Sequence, residues 1–231
     1  MCKIKKLFIK AAKKHVPSVD NICNDQYVGV IARNVGKWDW KCSSLYPYLD
    51  SSTQKTIRTY ALKRAIKDSK LKKTKLPTIA IVLESPHTDE YKTKPPVPAA
   101  SDTGKNFHSY FINMFSSWGQ KYNGNLKQEY KILFINAIQY QCSLGAPTQY
   151  YRSKIFNAMW KEQKVKADFE KRLRKAQPAI VINCCTHGGI SLRKRVQVSI
   201  DAVCSKSILL HAYHPSCWRK SSQIDDGGWT K

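Results

Sequence analysis

The chain has 231 residues, 42% hydrophobic and 11% aromatic, which supplies a packed core and excludes wholesale disorder. Its longest purely apolar run, Ile79-Ala80-Ile81-Val82-Leu83, is far short of the roughly 18 residues a membrane span needs. Forty Lys and Arg against 16 Asp and Glu give a formal net charge of +24, and self-repulsion of that size calls for a polyanionic partner.

The charge is not confined to a tail. Residues 1–76 hold 18 basic and 5 acidic side chains, and the remaining residues hold 22 and 11. Nucleic acid is the expected partner, because each neutralised phosphate releases counterions. No acylation motif points to a membrane. The N-terminus does not read as a signal peptide, since Lys10, Lys13 and Lys14 interrupt any apolar stretch after Leu7-Phe8-Ile9. The eight cysteines contain no C-x-x-C pair, and Cys184-Cys185 are adjacent. Free, buried thiols in a reducing cytosol are expected. A cytoplasmic, monomeric protein, in the bacterial cytosol or nucleoid, is the expectation.

In chain order, Ile4–His15 reads as a basic helix stopped before Pro17. Gly36–Tyr48, with two Trp and two Tyr, reads as packed irregular structure. Ser51–Lys70 reads as a helix with Ile57, Tyr60, Ala61 and Ala65 on one stripe and Lys63, Arg64 and Lys67 exposed. From Pro77 onward four apolar runs lack clean alternation: Thr78–Leu83, Lys131–Ala137, Ala179–Asn183 and Ser207–Ala212. Strands buried on both faces read this way. Between them lie helical candidates: Gly104–Trp118, with a stripe from Phe107 to Trp118 expected to be core; Thr148–Trp160; Val165–Ala176, stopped by Pro178; and Ser191–Val203.

The pattern predicts an α/β fold of three layers, α/β/α, with a four-stranded, mainly parallel sheet. It would span residues 77–220, behind a basic, partly helical N-terminal extension (1–76) and before a C-terminal tail (221–231). Ligands of open parallel sheets bind at the carboxyl ends of the strands. Those ends carry Glu84-Ser85-Pro86-His87, then Asn136, then Thr186-His187-Gly188-Gly189, then Tyr213-His214-Pro215-Ser216.

These residues resemble the uracil-DNA glycosylase superfamily, and its family four most closely. Leu83-Glu84-Ser85-Pro86-His87-Thr88-Asp89-Glu90 is similar to the G-E-A-P-G-x-x-E block of that family. Pro98 to Phe107 can be laid without a gap on its P-F-V-G-R-A-G-Q-L-L block, matching at Pro98 and Gly104. Ile135-Asn136-Ala137-Ile138 resembles T-N-V-V, and Ala212-Tyr213-His214-Pro215-Ser216 followed by Arg219 resembles T-Y-H-P-A-x-L-L-R. The four blocks occur in the family's order. The departures are that the iron–sulfur cysteines are absent, the base-stacking Phe falls on Ala99, and the Gly after E-A-P is His87.

The resemblance implies a monofunctional DNA glycosylase that flips a base and hydrolyses its glycosidic bond, leaving an abasic site, with no cofactor and no metal. Glu84 would stabilise the cationic sugar and position water. His214 would stabilise the leaving base, and Asn136 would read the flipped base's edge. Ser85, Pro86, His87 and Ala99 would line the base. Gly104, Lys105, His187, Ser216, Trp218 and Arg219 would contact DNA, with Trp218 wedged into the vacated stack. Ala99-Ala100-Ser101 leaves room for a bulky pyrimidine such as the glucosylated hydroxymethylcytosine of phage DNA, and the resemblance extends to antiphage glycosylases. The alternatives are uracil excision in base repair, should Trp218, His87 or a residue of the N-terminal region refill the gap at Ala99, and a non-catalytic nucleic-acid-binding protein. Plainer roles are open too: Glu84 as a cap or lysine partner, Asn136 as a turn residue, Asp102 as a loop cap. His87, His108 and His211 show no metal-site spacing.

Overall fold

The computed structural model describes residues 3–12, 22–45, 54–100, 102–122, 124–142, 149–186 and 192–225. Their elements are α1 (Lys3–Ala12), β1 (Gln26–Asn34), β2 (Lys37–Ser43), α2 (Gln54–Lys72), β3 (Thr78–Leu83), α3 (Asp102–Lys121), β4 (Glu129–Asn136), α4 (Gln149–Trp160), α5 (Gln163–Ala176), β5 (Ile180–Asn183), α6 (Leu192–Val203), β6 (Ile208–Ala212) and β7 (Ile224–Asp225). Short 3-10 turns cover Thr88–Lys92 and Pro215–Cys217.

All strands join one mixed sheet in the order β2-β1-β4-β3-β5-β6-β7. The four strands expected from the apolar runs are its parallel centre, β4-β3-β5-β6. The expected sheet is too small, however. β1 pairs antiparallel with β4 and with β2, and β7 pairs antiparallel with β6. Six strands have four residues or more, and β7 is a two-residue edge.

Two segments account for the difference. Residues 37–43 lie in Gly36–Tyr48, expected to be irregular. They form edge strand β2, whose exposed residues interrupt any apolar run while Trp38 turns inward. β1 is buried over its first seven residues, and the N-terminal region is therefore part of the sheet itself. In the C-terminal stretch, Ile224 pairs with Ala212. Residues 226–231 lie outside the described residues.

Helices cover both faces. Ile79, Ile81, Leu83, Ile132, Phe134, Ile180 and Ile182 share one buried cluster with Phe107, Phe111, Met114, Phe115 and Trp118 of α3. The intervening residues Ala80, Val82, Ile135 and Val181 share another with side chains of α1, α4, α5 and α6. Strand alternation alone sorts the two sets. The α3 stripe keeps helical spacing and is core, as expected.

One charged position departs from expectation. Arg64 of α2 is fully buried and Ala65 is exposed. The inward stripe is Tyr60, Ala61, Arg64, Asp68 and Leu71. Arg64 donates to the Tyr60 hydroxyl at 2.9 Å and to the Pro98 carbonyl at 2.8 Å. Those bonds compensate part of the burial of a guanidinium that the helical stripe places at the surface, and its Nε has no partner among the described residues. The Ile57 side chain lies outside the described ones.

Candidate active site

The crossovers choose the site. From β3 the chain passes through α3 on one face, whereas β4 and β5 lead to helices packed on the other. The loops leaving β3 and its neighbours therefore part to opposite faces at the carboxyl edge, the place where ligands of open α/β sheets bind. Glu84 leaves β3 at that point, and Asn136 ends β4 in register with Leu83.

Glu84 is 3% exposed, and its Oε2 accepts the Thr186 N–H at 2.7 Å. The side chain thus bridges the exits of β3 and β5. Asn136 continues the Ile132–Phe134 alternation onto the α3 face. It is 0% exposed, and neither its Oδ1 nor its Nδ2 has a hydrogen-bond partner among the described residues. Leaving such a group unpaired costs about 1–3 kcal/mol.

His214, at the exit of β6, caps the Pro215–Cys217 turn. Its Nδ1 lies 3.3 Å from the Ser216 nitrogen and 2.9 Å from the Ser216 Oγ. A backbone N–H can only donate, so Nδ1 accepts and the neutral ring carries its proton on Nε2. Ser216 is exposed, and its carbonyl accepts from Asn106 Nδ2 of α3 at 3.0 Å. Arg219, just past the Pro215–Cys217 turn, and Lys105, in the first turn of α3, are exposed. Asp102 opens α3 and is exposed.

Ser85 and His87 are half-buried and Pro86 is buried. His87 turns back to cap the Thr88–Lys92 turn, its Nδ1 accepting from Asp89 N–H at 3.4 Å. Glu90 closes the capping box: its Oε2 accepts the His87 N–H at 2.9 Å, and its Oε1 accepts the Ala99 N–H. Burial pushes the Glu90 carboxyl up to about 7, against the opposing pull of these two N–H groups and of Arg64.

Several expected DNA contacts stand elsewhere. Trp218 is 2% exposed, stacks on Phe107 with centroids 5.3 Å apart, and donates Nε1–H to the Tyr213 carbonyl at 2.6 Å. A residue so enclosed is core, not a wedge, because the α3 aromatics offer it more apolar surface than solvent or an open stack. Gly104 is also buried. A Cβ there would lie 2.1 Å from the Ala99 carbonyl oxygen, so glycine lets α3 close on that loop rather than on phosphate. Ala99 is 1% exposed at φ 54°. Leu45 of the N-terminal region shares its buried cluster, with Cδ2 3.5 Å from the same Gly104 Cβ position. His187 lies outside the described residues.

Residues that the sequence did not single out hold this edge together. Arg193 of α6, 2% exposed, donates Nε–H to the Cys185 carbonyl at 2.8 Å and Nη2–H to the Ala212 carbonyl at 2.9 Å, tying the exits of β5 and β6. Arg172 of α5 does the same for β4, donating to the carbonyls of Asn136 and Ala137. Nothing separates these two from the other cations of a strongly basic chain. Glu90 did have a signal, since it stands three residues after a capping position. Among the described residues no group of three or more His, Cys, Asp or Glu is placed to hold a metal, and no helix is long and apolar enough to cross a membrane.

No family model, curated protein or solved structure matches the chain. The fold and site define an α/β protein with an acid, an amide and a histidine at the carboxyl edge of its parallel strands.

Proposed function

We propose that this chain is a monofunctional DNA glycosylase that flips a pyrimidine out of DNA and hydrolyses its N-glycosidic bond. The observation that carries the reading is the buried amide of Asn136 at the end of β4, whose polar atoms have no partner among the described residues, beside the strand from which Glu84 emerges. An amide offers one acceptor and two donors, which matches the Watson–Crick edge of a pyrimidine.

The chemistry assigned to each group follows. As the bond between C1′ and the base nitrogen breaks, its electron pair leaves with the base and positive charge grows on the sugar. The Glu84 carboxylate opposes that charge and orients water toward C1′. His214, with Nδ1 engaged by Ser216, presents Nε2–H as a donor to the base carbonyl where negative charge collects. Water adds to C1′, and its proton passes through Glu84 to solvent and the released base. The net charge of +24 holds the phosphate backbone without regard to sequence.

Two substrates compete within this reading. The absence of the family's base-stacking Phe at Ala99 favours a bulky pyrimidine such as glucosylated hydroxymethylcytosine, which would make the protein an antiphage enzyme, although Ala99 itself is packed in a filled cluster. Leu45, brought beside the Ala99 loop, favours plain uracil and base excision repair. The test is release of base from matched duplexes carrying uracil, hypoxanthine or a glucosylated hydroxymethylpyrimidine, read as alkali-labile abasic sites. Release from a pyrimidine duplex by the wild type, lost in Glu84→Gln, is the expected result. Tight binding with no release from any duplex, unchanged in Glu84→Gln, would overturn it in favour of a non-catalytic binding protein.

A further inference from the structure

Arg172 is 15% exposed in its side chain and sits in the last turns of α5, on the face of the sheet opposite α3. Its Nε–H donates to Asp168 Oδ2 at 2.9 Å, one turn back on the same helix. Its Nη1 donates to both carboxylate oxygens of Asp25 and to the Asn136 carbonyl, each at 2.9 Å. Its Nη2 donates to the Ala137 carbonyl at 3.2 Å.

In an extended strand consecutive carbonyls point to opposite sides. One guanidinium that captures two in succession therefore marks the place where β4 stops being extended. The N–H groups repeat the feature: those of Ala137 and Ile138 turn together to the carbonyls of Leu83 and Glu84, at 2.7 and 3.0 Å. The backbone on which the Asn136 side chain is mounted is thus clasped from one side by the β3 exit and from the other by Arg172. Asp25, just before β1, is itself held by Gln139 Nε2 at 3.2 Å, so the clasp closes back on the chain three residues beyond Asn136.

We infer that Arg172, braced by Asp25, is a positioning residue that fixes the direction of the Asn136 amide and so sets which base the site accepts. This rests on the glycosylase reading and goes beyond it. It also gives the N-terminal region a part in the site, because Asp25 lies within it. Lysine cannot replace arginine here, since a point charge does not span a carboxylate and two successive carbonyls at once.

The test combines Arg172→Met, Arg172→Lys and Asn136→Ala with the double variant Arg172→Met/Asn136→Ala. Single-turnover base release, the ratio of preferred to non-preferred base, affinity for base-intact duplex and thermal melting are measured on each full-length protein. Displacement of a substrate-reading group by about 1 Å costs on the order of 10²-fold in rate. Arg172→Met is expected to slow release by roughly 10- to 100-fold and to reduce base discrimination, while affinity for intact duplex stays within about twofold because phosphate contacts dominate it. Arg172→Lys is expected to fall between, and it serves in place of Arg172→Met should that variant not fold. The double variant is expected to be no worse than Asn136→Ala, since both changes act through one amide. Wild-type discrimination in Arg172→Met or Arg172→Lys, or effects that add with Asn136→Ala, would overturn the inference while leaving the enzyme intact. A wild type that releases no base overturns the function, and the inference falls with it.

Discussion

Glu84 and Thr186 are joined across the carboxyl edge of the sheet, the Glu84 Oε2 accepting the Thr186 N–H at 2.7 Å. That bond fixes a carboxylate that is 3% exposed. It holds the carboxyl in place between the exits of β3 and β5, where the proposed chemistry uses it.

Glu84→Gln keeps an acceptor for Thr186 and removes the charge. Base release is expected to fall on the order of 10²-fold or more, with little change in melting temperature and none in DNA affinity. His214→Ala is expected to lower release comparably and also to loosen the Pro215–Cys217 turn that it caps. Single-turnover kinetics beside a filter-binding titration separate the two effects. Near-normal release by both variants would remove these residues from the mechanism.

Gly104 packs directly against the Ala99 carbonyl. Gly104→Ala would set a Cβ 2.1 Å from the Ala99 carbonyl oxygen, backbone that cannot swing aside as a side chain does. The overpacking is expected to destabilise the fold by about 1–3 kcal/mol, read by urea unfolding. Ala99→Phe is expected to be at least as costly, because a large side chain would enter a filled cluster from a left-handed backbone position. A stable Ala99→Phe protein would show that open space exists beside the loop and would strengthen the bulky-base reading.

The parallel centre was legible because β3 to β6 are buried on both faces, and double burial leaves unbroken apolar runs. The rim residues Glu84, Asn136 and His214 were legible from their places just past those runs. β1 and β2 were not. β2 is an edge strand with a wet face, and β1 keeps a polar start at Gln26 and a Gly at position 29 where its pairing with β4 slips. Trp218 shows the opposite limit. A tryptophan in a loop block has the chemistry of a wedge, and only the tertiary position of α3 assigns it to the core. Arg64 and Arg172 are two cations among forty, and their roles depend on carbonyls distant in sequence.

Glu90 makes stability depend on pH in a definite direction. Its carboxyl is raised to about 7 in the fold from an ordinary 4.5. Between those values the folded protein holds a proton that the unfolded chain has released. The contribution of this group to stability is therefore greatest below about pH 4.5, declines as pH rises toward 7, and is level above that. The span amounts to about 3 kcal/mol. Subtracting the melting profile of Glu90→Gln from that of the wild type isolates the group. The difference is expected to slope between roughly pH 4.5 and 7 and to be flat above. A flat difference throughout would show that Glu90 is ionised across the range.

Trp218 gives the sharpest contrast between a core residue and a DNA wedge. Its ring stacks on Phe107 and lies 6.5 Å, centroid to centroid, from Phe111. Its Nε1–H is the donor that holds the Tyr213 carbonyl beside His214. Trp218→Ala is expected to cost about 3–5 kcal/mol of stability, as truncation of a large buried aromatic does. Trp218→Phe keeps most of the stack and loses the hydrogen bond, for an expected cost of about 1 kcal/mol. In Trp218→Phe the affinity for base-intact duplex is expected to be unchanged, and release is expected to slow only as far as the Tyr213–His214 segment shifts. An intercalating wedge would behave in the reverse way, with stability preserved in Trp218→Ala and the loss concentrated in base flipping, read by fluorescence of 2-aminopurine placed beside the target base. A Trp218→Ala protein that melts like the wild type and fails only in that flipping signal would place the indole in the duplex and not in the core.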